Sequence, residues 1–185
     1  MSMPLLTRTG WTVERLAELP DDGNRYEIID GELFVTPAPA LLHQNALFDL
    51  VQLLVAYVRA VELSLSFAPV DISFSASTSV QPDLLVLPLY HGKRPRAFSD
   101  VGVLVLAVEI LSPSTARRDR TVKRVMYQKR NVPEYWIVDI DAHTIEVWRP
   151  ADTEPHVCRD RLQWQPSPTH PPLDIDVTAF FAGLD

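Results

Sequence analysis

The chain reads as an α/β (α+β) domain with a mixed central β-sheet flanked by helices. Three observations predict this. "RYEIIDGELFVTP" places Asp30-Gly31 between two strand-like runs, the dipeptide suited to a tight hairpin because both positions tolerate positive φ. "ALLHQNALFDLVQLLVAYVRAVEL", residues 40 to 63, has no Pro or Gly and repeats apolar residues at three and four. "VGVLVLAVEI" is apolar on both alternating faces, as in a strand covered on both sides.

In order, "TVERLAELP" predicts a short entry helix with Thr12 as N-cap and Pro20 as its stop. Strands follow at 25 to 29 and 32 to 36, and then the long helix, whose broad apolar face is expected against the main sheet. "LSFAPVDISFSAS" and "SVQPDLLVLP" read as β segments joined by a Ser/Thr-rich link at 75 to 79. Pro82 lacks a ladder donor and belongs at a strand start, bulge or edge.

Residues 115 to 130 predict a polar helix that Asn131 and Pro133 end. Ser112, Ser114 and Thr115 are expected to cap it. Strands at 134 to 139 and 143 to 149 surround a turn at Asp141. From Ala151 to Pro172 the chain holds five of its sixteen prolines and reads as an irregular connection before "VTAFFAGL". At 185 residues and 46% hydrophobic content, one domain over 1–185 is expected, with its core at about 11–149 and a Pro-rich C-terminal extension at 150–185.

One cysteine, Cys158, permits no internal disulfide, and no Cys/His cluster has zinc-site spacing. No segment, the N-terminal stretch included, reaches the ~20 apolar residues that span a bilayer. The expectation is a cytoplasmic protein with no membrane partner. The net charge of −7 opposes a polyanionic partner at first sight. Between Lys93 and Arg130, however, ten basic residues face three acidic ones, a local excess of seven, and the remainder carries −14. A basic face on an acidic body fits, as does a solvated helix.

Glu109 shares its predicted strand face with Ala107 and Val105, so its carboxylate starts from a desolvated position. It then needs a cation, hydrogen bonds or a metal, or its pKa rises. A purely structural reading pairs it with Arg117 or Arg118, or leaves it at the strand mouth in water. Asp83 opens a second apolar strand. If the two strands are neighbours, the carboxylates meet at one end of the sheet, and a shared hard divalent ion, Mg²⁺ or Mn²⁺, relieves their repulsion. Asp119, Lys123 and Tyr127, spaced i, i+4, i+8, fall on one helical stripe. Lys123 can lean over the acids, with Asp119 orienting it; an ordinary surface pair is the alternative.

"QPDLLV", "VEILSPST", "DRTVKRVMY" and "VPEYWIVD", with "RYEIIDGELFVTPAP" and His43 before them, resemble the Putative restriction endonuclease family of bacterial proteins, a branch of the PD-(D/E)XK nuclease superfamily. The resemblance runs from about Trp11 to Trp148. It implies a restriction-endonuclease-like core and divalent-metal hydrolysis of DNA phosphodiesters. Asp83, Glu109 and the Ile110 carbonyl are then the implied metal ligands, with Glu27 a further acid. The superfamily lysine normally lies two residues after the acid. Here that residue is Leu111, so the resemblance implies that Lys123 has taken over the role from the next helix.

Arg117, Arg118, Arg120, Arg124 and Arg130 are candidates for phosphate contacts, which position DNA without reading it. His43 could touch a phosphate, support Glu27, or simply cap its helix. Trp136 and Trp148 belong to the core or to a homodimer contact, the latter by analogy with nucleases that cut both strands. Two rivals are a catalytically inactive nucleic-acid or protein binding module on the same fold, and a metal-dependent hydrolase of smaller phosphate esters. A non-enzymatic structural domain is a third.

Overall fold

The computed structural model describes residues 9–184; the N-terminal stretch read above lies, up to residue 8, outside them. The chain opens with α1 (Val13–Leu16), where Thr12 stands at the N-cap without a side-chain bond. Strands β1 (Arg25–Ile29) and β2 (Glu32–Thr36) follow, within the expected bounds. Asp30 and Gly31 have φ of 50° and 81°, the pair of positive values that a two-residue hairpin turn requires.

Helix α2 (Leu41–Ala60) turns His43, Ala46, Leu47, Leu50, Leu54 and Val58 inward along one stripe. It has the length and average apolarity of a bilayer-crossing helix, which the sequence reading denied to every segment. Its buried stripe nonetheless packs on a sheet, against Leu84, Val86, Leu106 and Val108.

That sheet has six strands, ordered β10-β9-β8-β7-β6-β3. Its members are β3 (Leu63–Phe67), β6 (Leu84–Pro88), β7 (Leu106–Ile110), β8 (Glu134–Asp139), β9 (Thr144–Trp148) and β10 (His156–Cys158). Only β7 and β8 run parallel; the other neighbours are antiparallel, so the sheet is mixed as expected. A second, antiparallel sheet orders β2-β1-β5-β4, adding β4 (Ile72–Ser75) and β5 (Thr78–Val80). The link at 75 to 79 thus ends in a strand. Short side chains at Ser75 to Ser77 make the tight reversal, and Thr78 and Ser79 then enter the ladder.

The two faces of β6 and β7 serve different layers. Leu84, Val86, Leu106 and Val108 meet α2, whereas Leu85, Leu87 and Ala107 meet Ile72, Val80, Met126 and Tyr127. By strand alternation Asp83 and Glu109 belong to the second face.

The segment from 116 to 129 is helical but not uniform. It consists of α3 (Ala116–Arg118), a π turn (Asp119–Lys123) and α4 (Arg124–Lys129). The Arg124 N–H bonds the Asp119 carbonyl five residues back. Asn131, at φ 53°, ends the helix as its residue type suggested. The expected hydroxyl cap is absent. The Ser112 carbonyl accepts from the Thr115 and Ala116 N–H groups, while Ser112 and Thr115 hydroxyls bond each other at 3.1 Å.

The C-terminal part departs most from expectation. The stretch read as irregular contains β10 and β11 (Arg161–Trp164), and β11 pairs with β12 (Leu173–Asp176) before α5 (Val177–Ala182). Leu162, Trp164, Ile175, Val177, Phe180 and Phe181 are buried in the same cluster as α2 and Trp136. Trp136 and Trp148 are both buried within the chain. The five prolines between residues 151 and 172 lie outside these strands, where a missing N–H breaks no ladder bond.

Candidate active site

The ladder between β6 and β7 pairs Leu84 with Val108. Continuing it by one residue sets Asp83 opposite Glu109, so the two acids meet at one sheet end as the adjacency of their strands requires. The Ile110 N–H donates to Asp83 Oδ2 at 2.8 Å. Glu27 reaches the same place from β1, whose residues Arg25 and Glu27 share a face by period-two alternation.

Lys123 lies between the acids. Its Nζ is 2.7 Å from both Glu109 Oε1 and Glu27 Oε1. The Tyr127 hydroxyl donates to Glu109 Oε1 at 3.3 Å, and the Gln81 N–H to Glu27 Oε1 at 2.7 Å. Glu27, Asp83, Glu109, Asp119 and Lys123 are all no more than 3% exposed. The stripe of Asp119, Lys123 and Tyr127 is therefore an inward face of the helix, not a solvated one. The π turn widens that helix where two of these residues face the sheet, a distortion often found at functional positions.

Asp83 is held from three sides. Arg25 Nη1 is 2.7 Å from Oδ1, His43 Nε2 is 3.1 Å from Oδ2, and the Ile110 amide completes the set. Neither Arg25 nor His43 was paired with this acid in the sequence reading. Both carried a signal, since His43 continues the buried stripe of α2 and Arg25 shares the Glu27 face. Their partner is 58 and 40 residues away respectively, which no local pattern announces.

Electrostatics separates the acids. Burial opposes ionisation of Asp83, but the His43 hydrogen bond and the charges of His43 and Arg25 outweigh it, setting the pKa at about 2. Glu109 goes the other way: burial pushes its pKa well above the ordinary range, and Asp119, Asp83 and Glu27 add to the rise against the pull of Lys123. Burial raises Asp119 as well. Burial alone would discharge Lys123, yet Glu109, Glu27 and Asp119 together raise its pKa, so it stays an ammonium.

The structural pairing of Glu109 with Arg117 or Arg118 does not occur; its cation is Lys123. Arg118 bonds Thr36 Oγ1 at 2.8 Å and approaches Glu27 Oε2 at 3.4 Å, at the edge of the acid group. Arg117 is exposed. Arg120 is committed to Asp139 and Glu146 at 2.6 and 2.7 Å. Arg124 donates to the Arg120 carbonyl and Gln128, with its guanidinium 4.7 Å over the Trp148 ring.

The donor set of Asp83, Glu109 and the Ile110 carbonyl is all oxygen, the chemistry of a hard divalent ion. Magnesium is commonly held by one or two carboxylates together with water and substrate phosphates. Among the described residues no three His, Cys, Asp or Glu side chains gather as a ready metal cage. Four buried acids, Glu27, Asp83, Glu109 and Asp119, gather at this end of the sheet, and Asp119 Oδ1 has no hydrogen-bond partner, so a cation is favoured there. The residues therefore fit an ion held by two carboxylates and completed by substrate and water. A cleft of about 330 Å³ reaches Arg25 and Asp83, and a second, of about 200 Å³, is lined by His43, Ser112 and Asp139.

The family model described as "Putative restriction endonuclease" (Uma2) matches residues 13–180. No curated protein matches the chain. Among solved structures, a putative nuclease belonging to DUF820 from Anabaena variabilis ATCC 29413 superposes with a TM-score of 0.74 at 20% identity, over 94% of this chain and 99% of that one. That superposition shows a shared fold, and the family match extends well past the Trp148 limit of the motifs read in the sequence. The chain belongs to the Uma2 family, whose members are grouped as restriction-endonuclease-like proteins of nuclease type.

Proposed function

We propose that this protein is a divalent-metal-dependent endonuclease that hydrolyses DNA phosphodiester bonds, with Asp83, Glu109 and the Ile110 carbonyl as ligands for Mg²⁺ or Mn²⁺. The observation that carries the reading is the meeting of Asp83 and Glu109 at one end of β6 and β7, with Lys123 2.7 Å from Glu109. When bound, the ion supplies positive charge beside the scissile phosphate and makes water more acidic.

The chain's own groups have separable tasks. Arg25, His43 and the Ile110 amide lock the Asp83 carboxylate in one orientation, a prerequisite for a preorganised site. Lys123 stays protonated and is therefore a donor, not a base. Two of its three N–H groups serve Glu27 and Glu109. The third stabilises negative charge that develops on the phosphate. Glu27 holds Lys123, and Arg117 and Arg118 offer phosphate contacts at the rim. Arg120 and Arg124 already have intramolecular partners and serve the fold. A second copy of the chain, acting on the other strand, belongs to the same proposal.

One observation favours the rival binding module: Lys123 already pairs with both Glu27 and Glu109, and Asp83 is held by Arg25, His43 and the Ile110 amide. Relaxation of supercoiled plasmid in Mg²⁺ or Mn²⁺, beside Glu109→Gln and Asp83→Asn, separates the two. The nuclease reading expects metal-dependent nicking that falls on the order of 100-fold or more in each variant. Wild-type protein that neither nicks plasmid nor binds Mg²⁺ or Mn²⁺ calorimetrically sinks it in favour of the module.

A further inference from the structure

The local excess of positive charge between Lys93 and Arg130 divides in the folded chain. Arg118, Arg120 and Lys123 are in ion pairs. Lys93, Arg94 and Arg96 are exposed, and none is in an ion pair among the described residues. These three lie on the connection between β6 and β7, at the opposite end of the strands from Asp83 and Glu109.

This connection is rigidly built. Tyr90 and Lys93 exchange backbone hydrogen bonds at 2.8 and 3.0 Å around His91-Gly92, whose φ values of 49° and 72° make a tight two-residue turn. The Asp100 carboxylate accepts from the Arg96 and Ala97 amides at 2.7 and 3.1 Å. The backbone is thus fixed on both sides of the cations. Tyr90, 45% exposed, packs edge-on to His91 with ring centroids 4.3 Å apart. Beyond the tip, Phe98 and Val101 pack on the cluster that contains Ala107 and Tyr127, the sheet face that carries Glu109. Phe98 meets Phe74 edge-on, and the Arg130 guanidinium lies 5.6 Å over Phe74. Arg130 also lines a cleft of about 470 Å³ with Phe98, Gly102 and Leu104.

We propose that this basic hairpin tip, together with Arg130 on the same face, is a second contact for the phosphate backbone of duplex DNA, on the active-site side but remote from the acids. The distances suit a duplex. Seven residues separate Asp83 from Tyr90, roughly 23 Å at about 3.3 Å per residue. Arg130 lies roughly 10 Å along the helix from Lys123 at about 1.5 Å per residue. A DNA strand presents a phosphate about every 3.4 Å of axis, so the tip meets the backbone about seven base pairs from the acids. On a protein of net charge −7, this tip, free of ion pairs among the described residues, concentrates the charge that a phosphate backbone attracts.

The inference rests on DNA being the substrate and is tested apart from cleavage. Fluorescence anisotropy with a fluorescein-labelled 24-base-pair duplex in EDTA, from 50 to 200 mM KCl, compares wild type with Arg94→Ala/Arg96→Ala. Arg59→Ala/Arg159→Ala serves as a control with the same change in net charge. The tip variant is expected to lower affinity at least about tenfold at 100 mM salt and to make the slope of log K against log salt shallower by about 1.8. The control should leave the slope within about 0.3 of wild type. Equal losses in both doubles, an unchanged slope, no wild-type binding, or tip-dependent binding to phosphatidylglycerol vesicles in place of DNA would each overturn it. Tip-dependent binding without plasmid nicking would retain this contact and remove the nuclease reading; nicking with an indifferent tip would do the reverse.

Discussion

Replacing Lys123 with Met removes the charge between Glu27 and Glu109 while keeping most of the side-chain volume. Both acids lie 2.7 Å from Nζ, and all three groups are nearly inaccessible. Breaking a buried ion pair from one side costs about 3–5 kcal/mol, because a desolvated charge loses its partner. Unfolding entropy of about 2.1 cal/mol/K per residue gives roughly 0.4 kcal/mol/K for this chain, so a loss near 4 kcal/mol lowers Tm by about 10 °C. The sign of the pH dependence follows from the acids. Without the lysine the folded-state pKa of Glu109, already raised by burial, lies further above the unfolded value of about 4.3, so the folded state binds more protons and its stability falls as pH rises. The deficit should be largest near pH 8 and shrink toward pH 5. Urea denaturation followed by tryptophan fluorescence suits the measurement, since Trp11, Trp136, Trp148 and Trp164 are all buried. Adding Glu109→Gln to Lys123→Met should restore part of the loss, a coupling that a double-mutant cycle measures. A Lys123→Met protein within about 0.5 kcal/mol of wild type at pH 7.5, or a deficit that widens toward pH 5, refutes the assignment of Lys123 as the counter-ion of these acids.

The other predictions address Asp83, Arg120 and the C-terminal segment. The folded-state pKa of Asp83, about 2 against 3.8, means that it contributes about 2 kcal/mol above pH 4, lost as pH falls toward 2. Asp83→Asn should lack that acid-labile part, visible as a flatter stability profile from pH 5 to pH 3 in urea titrations. Arg120→Ala unpairs Asp139 and Glu146 and should cost about 1–3 kcal/mol in denaturant melts while leaving the DNA anisotropy slope unchanged. A shallower slope would instead make Arg120 a phosphate ligand. Trp164→Ala should cost about 3–5 kcal/mol, since its ring packs 5.7 Å from Trp136 and 5.8 Å from Tyr57. A negligible loss would mean that β11 is peripheral to the core.

Legibility in the sequence tracked the range of the interaction. Asp30-Gly31 is a local signal, and the hairpin around it forms at the expected residues. Glu109 stands out because a charge in a doubly apolar strand demands compensation, and Asp83 because it opens a similar strand. The Lys123 stripe was legible as a helical spacing, but its widened turn was not, since an apolar pattern cannot distinguish an α turn from a π turn over five residues. The clamp of Arg25 and His43 on Asp83 depends on contacts 58 and 40 residues apart, which arise only when β1, α2 and β6 come together. β10, β11 and β12 are three or four residues long, and prolines beside them masked the alternation that buries Leu162, Trp164 and Ile175.

The extra residue in the Asp119–Lys123 turn has a mechanical consequence. A lysine two places after an acid on the same strand is geared to the pleat, so the two can only move together. Carried on a helix, the ammonium has an angular adjustment of its own: each residue inserted or removed upstream turns it by about 100° about the helix axis. The strands fix where the carboxylates stand, and helix phase sets where the cation points.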